Sequence, residues 1–143
     1  MAYLLDVCTL VALCDSNHEQ NVTAERWFSS AHTEGWYTCP ITENGLVRIL
    51  GNPNYPKGPG SPELALQTLG SFRELPTHRF CPDNISFYDV NFFASIKGIG
   101  SNSLTDIYLL ALAISIDCKF ATLDKRIDPS ILNEGLASYH IIS

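Results

Sequence analysis

The sequence has few positive charges, no long apolar run and no paired cysteines, and each absence excludes a class of protein. The chain of 143 residues has nine Lys and Arg residues and 15 Asp and Glu residues, which gives a net charge of −6. Such a balance argues against a protein that coats nucleic acid through a basic surface. No apolar stretch approaches the about 18 residues of a transmembrane helix. The five cysteines are odd in number and include no Cys-x-x-Cys pair, which predicts reduced thiols in a cytoplasmic protein.

The amino-terminal segment, residues 1–14, resembles a secretory signal in composition alone. No Lys or Arg precedes its apolar run, and Asp6 interrupts that run. We therefore interpret the segment as part of the fold, which begins at residue 3. A chain of this length has room for one sizeable core, so we predict a single domain covering residues 1–143.

Short apolar runs alternate with helical patterns along the chain. Strands are predicted at residues 3–5, 36–39, 78–82, 119–123 and 138–142. Helices are predicted at residues 9–14, 18–32, 40–50, 62–75, 86–96 and 104–116, with a loop over residues 51–62. This alternation predicts an α/β domain with a mainly parallel sheet of four to five strands, covered by helices on both faces.

Four acidic residues occupy positions that such a sheet brings to its carboxyl edge. Asp6 and Asp124 directly follow strands, while Glu43 and Asp106 lie in the first turns of helices. Carboxylates gathered at one edge repel each other unless hard cations lie between them, so the pattern predicts a Mg²⁺ or Mn²⁺ site. Acids in a first helical turn also complement the helix dipole, which is the purely structural alternative.

The segments that carry these acids follow a familiar order: LLDVCTLVAL, CPITENGLVRIL, LTDIYLLALA and FATLDKR. From residue 3 to residue 126, the chain resembles the PIN-domain ribonucleases, and above all the VapC-type toxins of bacterial toxin–antitoxin pairs. The resemblance implies an α/β/α sandwich and an endoribonuclease that cleaves RNA phosphodiesters through water activated by Mg²⁺ or Mn²⁺. Its catalytic and metal-binding residues would be Asp6, Glu43, Asp106 and Asp124.

Three further residues are candidates for supporting roles. Thr9 and Thr122 are placed to hydrogen-bond Asp6 and Asp124, the alternatives being a helix cap and an ordinary β-branched strand residue. Arg48 lies five residues beyond Glu43 and is a candidate contact for RNA phosphate or a partner carboxylate, or else a surface arginine. The four histidines have no ligand spacing, and no role is assigned to them.

The expected partners are an RNA substrate, a cognate antitoxin protein and a second copy of the chain. The apolar helices predicted at 86–96 and 104–116 carry more apolar surface than one sheet face covers, which predicts a two-fold homodimer. An antitoxin would place an arginine among the carboxylates and an amphipathic segment near the helices at 9–14 and 40–50.

Two alternative functions remain open. The first is a non-catalytic PIN-like module that binds RNA or protein. The second is another α/β phosphoryl enzyme, but receivers require adjacent acids and haloacid-type phosphatases require Asp-x-Asp. Asp6 is followed by Val7 and Cys8, which fits neither pattern.

Overall fold

The computed structural model describes all residues, 1–143, and contains one five-stranded parallel sheet. Its strands are β1 (Tyr3–Leu5), β2 (Trp36–Thr38), β3 (His78–Phe80), β4 (Lys119–Thr122) and β5 (Tyr139–Ile141). The helices are α1 (Val7–Cys14), α2 (Asn21–Ala31), α3 (Pro40–Leu50), α4 (Pro62–Arg73), α5 (Leu104–Ser115) and α6 (Gly135–Ser138). The spatial order is β3-β2-β1-β4-β5, and every pair of neighbours is parallel.

The sheet separates two apolar cores, which makes the domain a three-layer α/β/α sandwich, as predicted. In β1, Leu4 belongs to the core on the α5 face, and Leu5 belongs to the core on the α1–α4 face. Phe120 and Ala121 of β4 divide between the two cores in the same way. Successive strand side chains point to opposite faces, so a central strand buried on both sides must be apolar at every position.

The strand order determines where a functional site can lie. The chain builds β1, β2 and β3 toward one edge and then returns to add β4 and β5 on the other side of β1. Between β1 and β4 the direction of winding reverses, and parallel sheets of this kind bind ligands at the carboxyl ends of the strands at that switch point. Leu5 pairs with Ala121 there, immediately before the acids that follow the two strands.

The prediction of a helix at residues 86–96 is wrong, because the segment 81–100 contains neither helix nor strand. Side chains of Ser86, Asp89 and Ser95 accept hydrogen bonds from the backbone N–H two residues further on. Such local bonds compete with helical hydrogen bonds and favour turns. The segment instead lays Phe87 and Phe93 against Tyr108 of α5.

This covering also removes the argument for a dimer from an exposed α5. The residues of α5 from Ile107 to Ala113 are all buried within one chain. No helix of the structure combines the length and the hydrophobicity that crossing a membrane requires. All five cysteines are free thiols, and three of them, Cys39, Cys81 and Cys118, are buried.

Candidate active site

Asp6 lies at the centre of the sheet edge and has two structural partners. It follows β1, is 1% exposed, and caps the amino terminus of α1 by accepting a 2.8 Å hydrogen bond from the Thr9 backbone N–H at Oδ1. Its Oδ2 accepts a hydrogen bond from the Thr122 hydroxyl at the end of β4. Burial raises the pKa of Asp6 above its ordinary value, although the hydrogen bonds from Thr122 and Thr9 oppose that rise.

Asp106 lies in the first turn of α5 and shares the negative potential of the same edge. Its pKa is raised to about 7, first by burial and then by the charges of Asp6 and Asp124. The thiol of Cys8 is affected by the same three acids, since its pKa is raised to about 11 by burial and by their charges. The structure therefore brings Asp6, Asp106 and Asp124 into one electrostatically coupled group.

Asp124 closes this group and is paired with an arginine two residues away. Arg126 Nε lies 3.0 Å from Oδ1 of Asp124, and its terminal nitrogen lies 2.9 Å from Oδ2. This fork holds the pKa of Asp124 below its ordinary value. Asp106, Asp124 and Arg126 line a cavity of ≈ 220 Å³ beside the loop that precedes α5.

Glu43 lies in the first turn of α3 and is held by a different set of residues. Its Oε2 accepts a 2.6 Å hydrogen bond from the Thr38 hydroxyl at the end of β2. His78 Nε2 lies 2.8 Å from that hydroxyl oxygen, and because the hydroxyl proton is directed to Glu43, Nε2–H is the donor. Arg73 of α4 forms an ion pair with Glu43 at 3.3 Å. Glu43 is not among the charges that shift the pKa of Asp106.

The donor set fits a hard divalent cation in its chemistry. Carboxylate oxygens are the ligands that Mg²⁺ and Mn²⁺ prefer. The pKa of Asp106 is raised first by burial and then by the charges of Asp6 and Asp124, and a cation would offset those charges. The side chains face other partners in this structure, and no three His, Cys, Asp or Glu side chains are placed around one point as metal ligands. Asp124 faces Arg126 and Glu43 faces Thr38 and Arg73, so these side chains would reorient to coordinate an ion.

The two predicted supporting threonines differ in how they contact the acids. Thr122 donates its hydroxyl to Asp6 and accepts a 2.9 Å hydrogen bond from the backbone N–H of Asp124. Thr9 contacts Asp6 through its backbone N–H, and its own buried hydroxyl has no hydrogen-bond partner. Arg48 makes no ion pair and lines a separate cavity that none of the four acids lines.

Four residues of this site were not among the site residues predicted from the sequence: Thr38, Arg73, His78 and Arg126. Arg126 carried a local signal, because a basic residue two positions after an acid in a turn can pair with it. Thr38 ends a strand as Thr122 does, a parallel that was visible in the sequence. His78 carried no signal, because its contact with Thr38 depends on the pairing of β3 with β2.

Comparison with known proteins assigns this chain to a family. The family model for the PIN domain matches residues 3–129, and the chain belongs to that family. Among its relatives in Mycobacterium tuberculosis, ribonuclease VapC44 is 35% identical over 127 residues, 89% of this chain and 89% of that protein. Ribonuclease VapC39 is 35% identical over 132 residues, covering 91% and 94%. Ribonuclease VapC38 is 36% identical over 122 residues, covering 85% and 84%.

Proposed function

We propose that this chain is a divalent-metal-dependent endoribonuclease and the toxin of a toxin–antitoxin pair. The observation that carries the proposal is the placement of Asp6, Asp106 and Asp124 at the carboxyl edge of the sheet, after the adjacent strands β1 and β4 and in the first turn of α5. The raised pKa of Asp106, due first to burial and then to the charges of Asp6 and Asp124, supports it. A fold that gathers acids at such a cost, at the switch point of a parallel sheet, is suited to a cation that neutralises them. The names of the relatives support RNA as the substrate.

Each acid has a distinct role in this proposal. Asp6 and Asp106 would be the central ligands of Mg²⁺ or Mn²⁺, and Asp124 an outer ligand. When bound, such an ion supplies charge to the phosphate oxygens and lowers the pKa of water. Thr122 and the start of α1 keep the Asp6 carboxylate in one orientation, so it would need no reorientation to bind an ion.

Glu43 is proposed as a further ligand or as the base that orients the attacking water. Thr38 engages Oε2 of its carboxylate, so Oε1 is the oxygen left for water, with only a 3.5 Å contact from Arg73. The Trp36 indole packs edge-on against the His78 ring at 4.7 Å, which restricts the ring that donates to Thr38. Oε2 is thus constrained by Thr38, and Oε1, which accepts only the long hydrogen bond from Arg73, is the oxygen proposed to contact the water.

We also propose a cognate antitoxin, a two-fold homodimer and a cytoplasmic location. The antitoxin would place an arginine among the carboxylates and lay an amphipathic segment near α1 and α3. For the dimer, the exposed apolar residues Tyr88 and Val90 of the segment 81–100 replace α5 as the surface that a second copy would cover. Light scattering at tens of micromolar that returns about 16 kDa would contradict the dimer.

Asp6→Asn tests the nuclease directly. Asparagine has nearly the same volume and is itself a good amino-terminal cap, so the fold of α1 should persist while cleavage of RNA is abolished in Mg²⁺ and Mn²⁺. Asp117→Asn, an exposed position in the turn before β4, is the matched control and should cleave normally. Cleavage by the Asp6 variant at the wild-type rate in Mn²⁺ would show that the site is misassigned.

A non-catalytic PIN-like binding module is the second candidate. The observation that favours it is the pairing of two of the acids with arginines, Asp124 with Arg126 and Glu43 with Arg73. If the wild-type chain binds RNA but cleaves none in either metal, while its fold is intact, this second function is correct.

A further inference from the structure

A cavity of ≈ 410 Å³ lies near Asp6, Glu43 and Asp106, although none of the four acids lines it. It is lined by parts of α1, α3, the first turn of α5 and the segment 81–100, including Val7, Ile41, Asn44, Arg48, Asp83 and Thr105. Val7, Asn44 and Thr105 each stand next in sequence to one of the acids. A group bound here would therefore lie beside whatever the acids act on.

The cavity has an apolar wall and polar side chains that have no partners. Val7 and Ile41 provide the apolar wall, while Asn44, Arg48 and Asp83 are exposed at its rim. The three ion pairs of the structure involve Glu34, Glu43 and Asp124, so Arg48 and Asp83 are paired neither with each other nor with another side chain. A flat ligand with polar edges, such as a nucleobase, fits this arrangement, and the volume lies in the range of small-ligand sites.

We propose that this cavity binds the base of a nucleotide next to the cleaved phosphodiester, and that Arg48 and Asp83 select guanine there. The proposal rests on the proposed RNA cleavage for the position of the nucleotide but not for the chemistry of the cavity. An arginine alone would suit a phosphate. The carboxylate of Asp83 in the same cavity would repel a phosphate, whereas a base with both acceptors and donors satisfies the two side chains together.

Guanine is favoured because its edges match these two side chains. Its O6 and N7 are adjacent acceptors for the fork of a guanidinium, and its N1–H and N2–H are adjacent donors for a carboxylate. Uracil has a single ring donor, and adenine and cytosine each have one exocyclic amine and no ring N–H beside it. No other standard RNA base satisfies both side chains in a bidentate manner.

The test measures RNA binding by fluorescence anisotropy in EDTA, so that it does not depend on cleavage. The probe is a labelled single-stranded RNA of five nucleotides, four uridines around one central guanosine. Replacing guanosine by inosine removes the N2 amine, and we expect wild-type affinity to fall by about 5- to 150-fold. In Asp83→Asn the guanosine and inosine probes should bind equally, while Asp117→Asn, the matched control, should keep the wild-type difference.

A second pair of variants tests the other edge of the base. Replacing guanosine by 7-deazaguanosine removes the N7 acceptor. This replacement should weaken binding of the probe to the wild type, whereas Arg48→Ala should bind the two probes with equal affinity. Arg26→Ala, an exposed arginine of α2, should behave as the wild type. Equal binding of all probes by the wild type, or discrimination that survives in Asp83→Asn and Arg48→Ala, would overturn the proposal.

The same probes separate this proposal from the proposed nuclease. A protein that cleaves RNA in Mg²⁺ but does not distinguish guanosine from inosine would keep the nuclease and overturn the guanine site. A protein that distinguishes the probes but cleaves no RNA would keep the guanine site and overturn the nuclease. Mapping the cuts that the wild type makes in a randomised RNA should show guanine at one fixed position beside the cut, and no enrichment of guanine there would count against the site.

Discussion

Thr122 donates a hydrogen bond from its hydroxyl to the carboxylate of Asp6, although the two residues lie 116 positions apart in the sequence. The same hydroxyl oxygen accepts the backbone N–H of Asp124 at 2.9 Å. One side chain at the end of β4 thus connects the acid after β1 to the acid after β4. The Thr122 hydroxyl therefore links the ends of the adjacent strands β1 and β4 at the acidic edge of the sheet.

Thr122→Val should destabilise the protein by about 1–3 kcal/mol, because it leaves a buried carboxylate oxygen and a backbone N–H without partners at nearly constant volume. Urea unfolding of the metal-free protein measures this change. Thr122→Ser keeps the hydroxyl and should recover most of the lost free energy of unfolding. A valine variant as stable as the wild type would show that the hydroxyl contributes nothing to stability at this position.

The stability of the metal-free protein should depend on the charge of Asp106. The folded pKa of this group is raised from 3.8 to about 7, so the folded state holds its proton more tightly than the unfolded state. Its contribution to the free energy of unfolding is therefore full below about pH 4 and is lost as the pH rises to 7. Thermal unfolding in EDTA across this range measures the loss.

Two histidines act in the opposite sense in part of the same range, so the prediction is read as a difference between proteins. Burial lowers the pKa of both His78 and His140, which favours the folded state as the pH rises through about 6.5. Subtracting the free energy of unfolding of Asp106→Asn from that of the wild type cancels the contribution of the two histidines, which both proteins share. The difference should fall steadily from pH 4 to pH 7, and a flat difference would contradict the raised pKa.

Thr38→Val should lower kcat for RNA cleavage by about 10- to 100-fold with little change in KM, because Glu43 loses the hydrogen bond that orients it. Single-turnover and steady-state cleavage assays separate the two constants. Thr38→Ser keeps the hydroxyl and should restore kcat. A change confined to KM would indicate that Thr38 affects binding of RNA rather than the orientation of Glu43.

Arg126→Ala should strengthen Mg²⁺ binding by no more than about fivefold, since the arginine is exposed and such ion pairs are weak. Its removal frees both oxygens of Asp124 for the ion. Lys125→Ala is the matched control, because it removes the same charge from the neighbouring exposed position without breaking a contact to Asp124. Isothermal titration that gives equal gains for both variants would assign the effect to net charge alone.

Mg²⁺ should compete with the antitoxin if an arginine of that partner enters the acidic group. Raising Mg²⁺ should then weaken the complex more than NaCl of equal ionic strength does. Surface plasmon resonance on the pair of proteins measures both series. Equal effects of the two salts would show general screening only, and the competition would have to be abandoned.

The order of elements was readable from the sequence because it depends on local patterns. Short apolar runs that end at an acid predicted β1 and β4, and proline at a first helical turn predicted the starts of α3 and α4. The position of the four acids at strand ends and helix starts followed from that order. The same local reasoning failed at residues 86–96, where side chains bond the backbone in turns and an apolar periodicity is used to cover α5.

Only the tertiary structure decided which acids share an environment and what holds each of them. Coupling of Asp106 to Asp6 and Asp124, and the contact of His78 with Thr38, depend on strands that are distant in sequence lying side by side. A sequence pattern places a residue on an element and at one end of it. The distances between elements arise from the packing of two cores around the sheet, and those distances determine the charge, the burial and the partners of every group at the site.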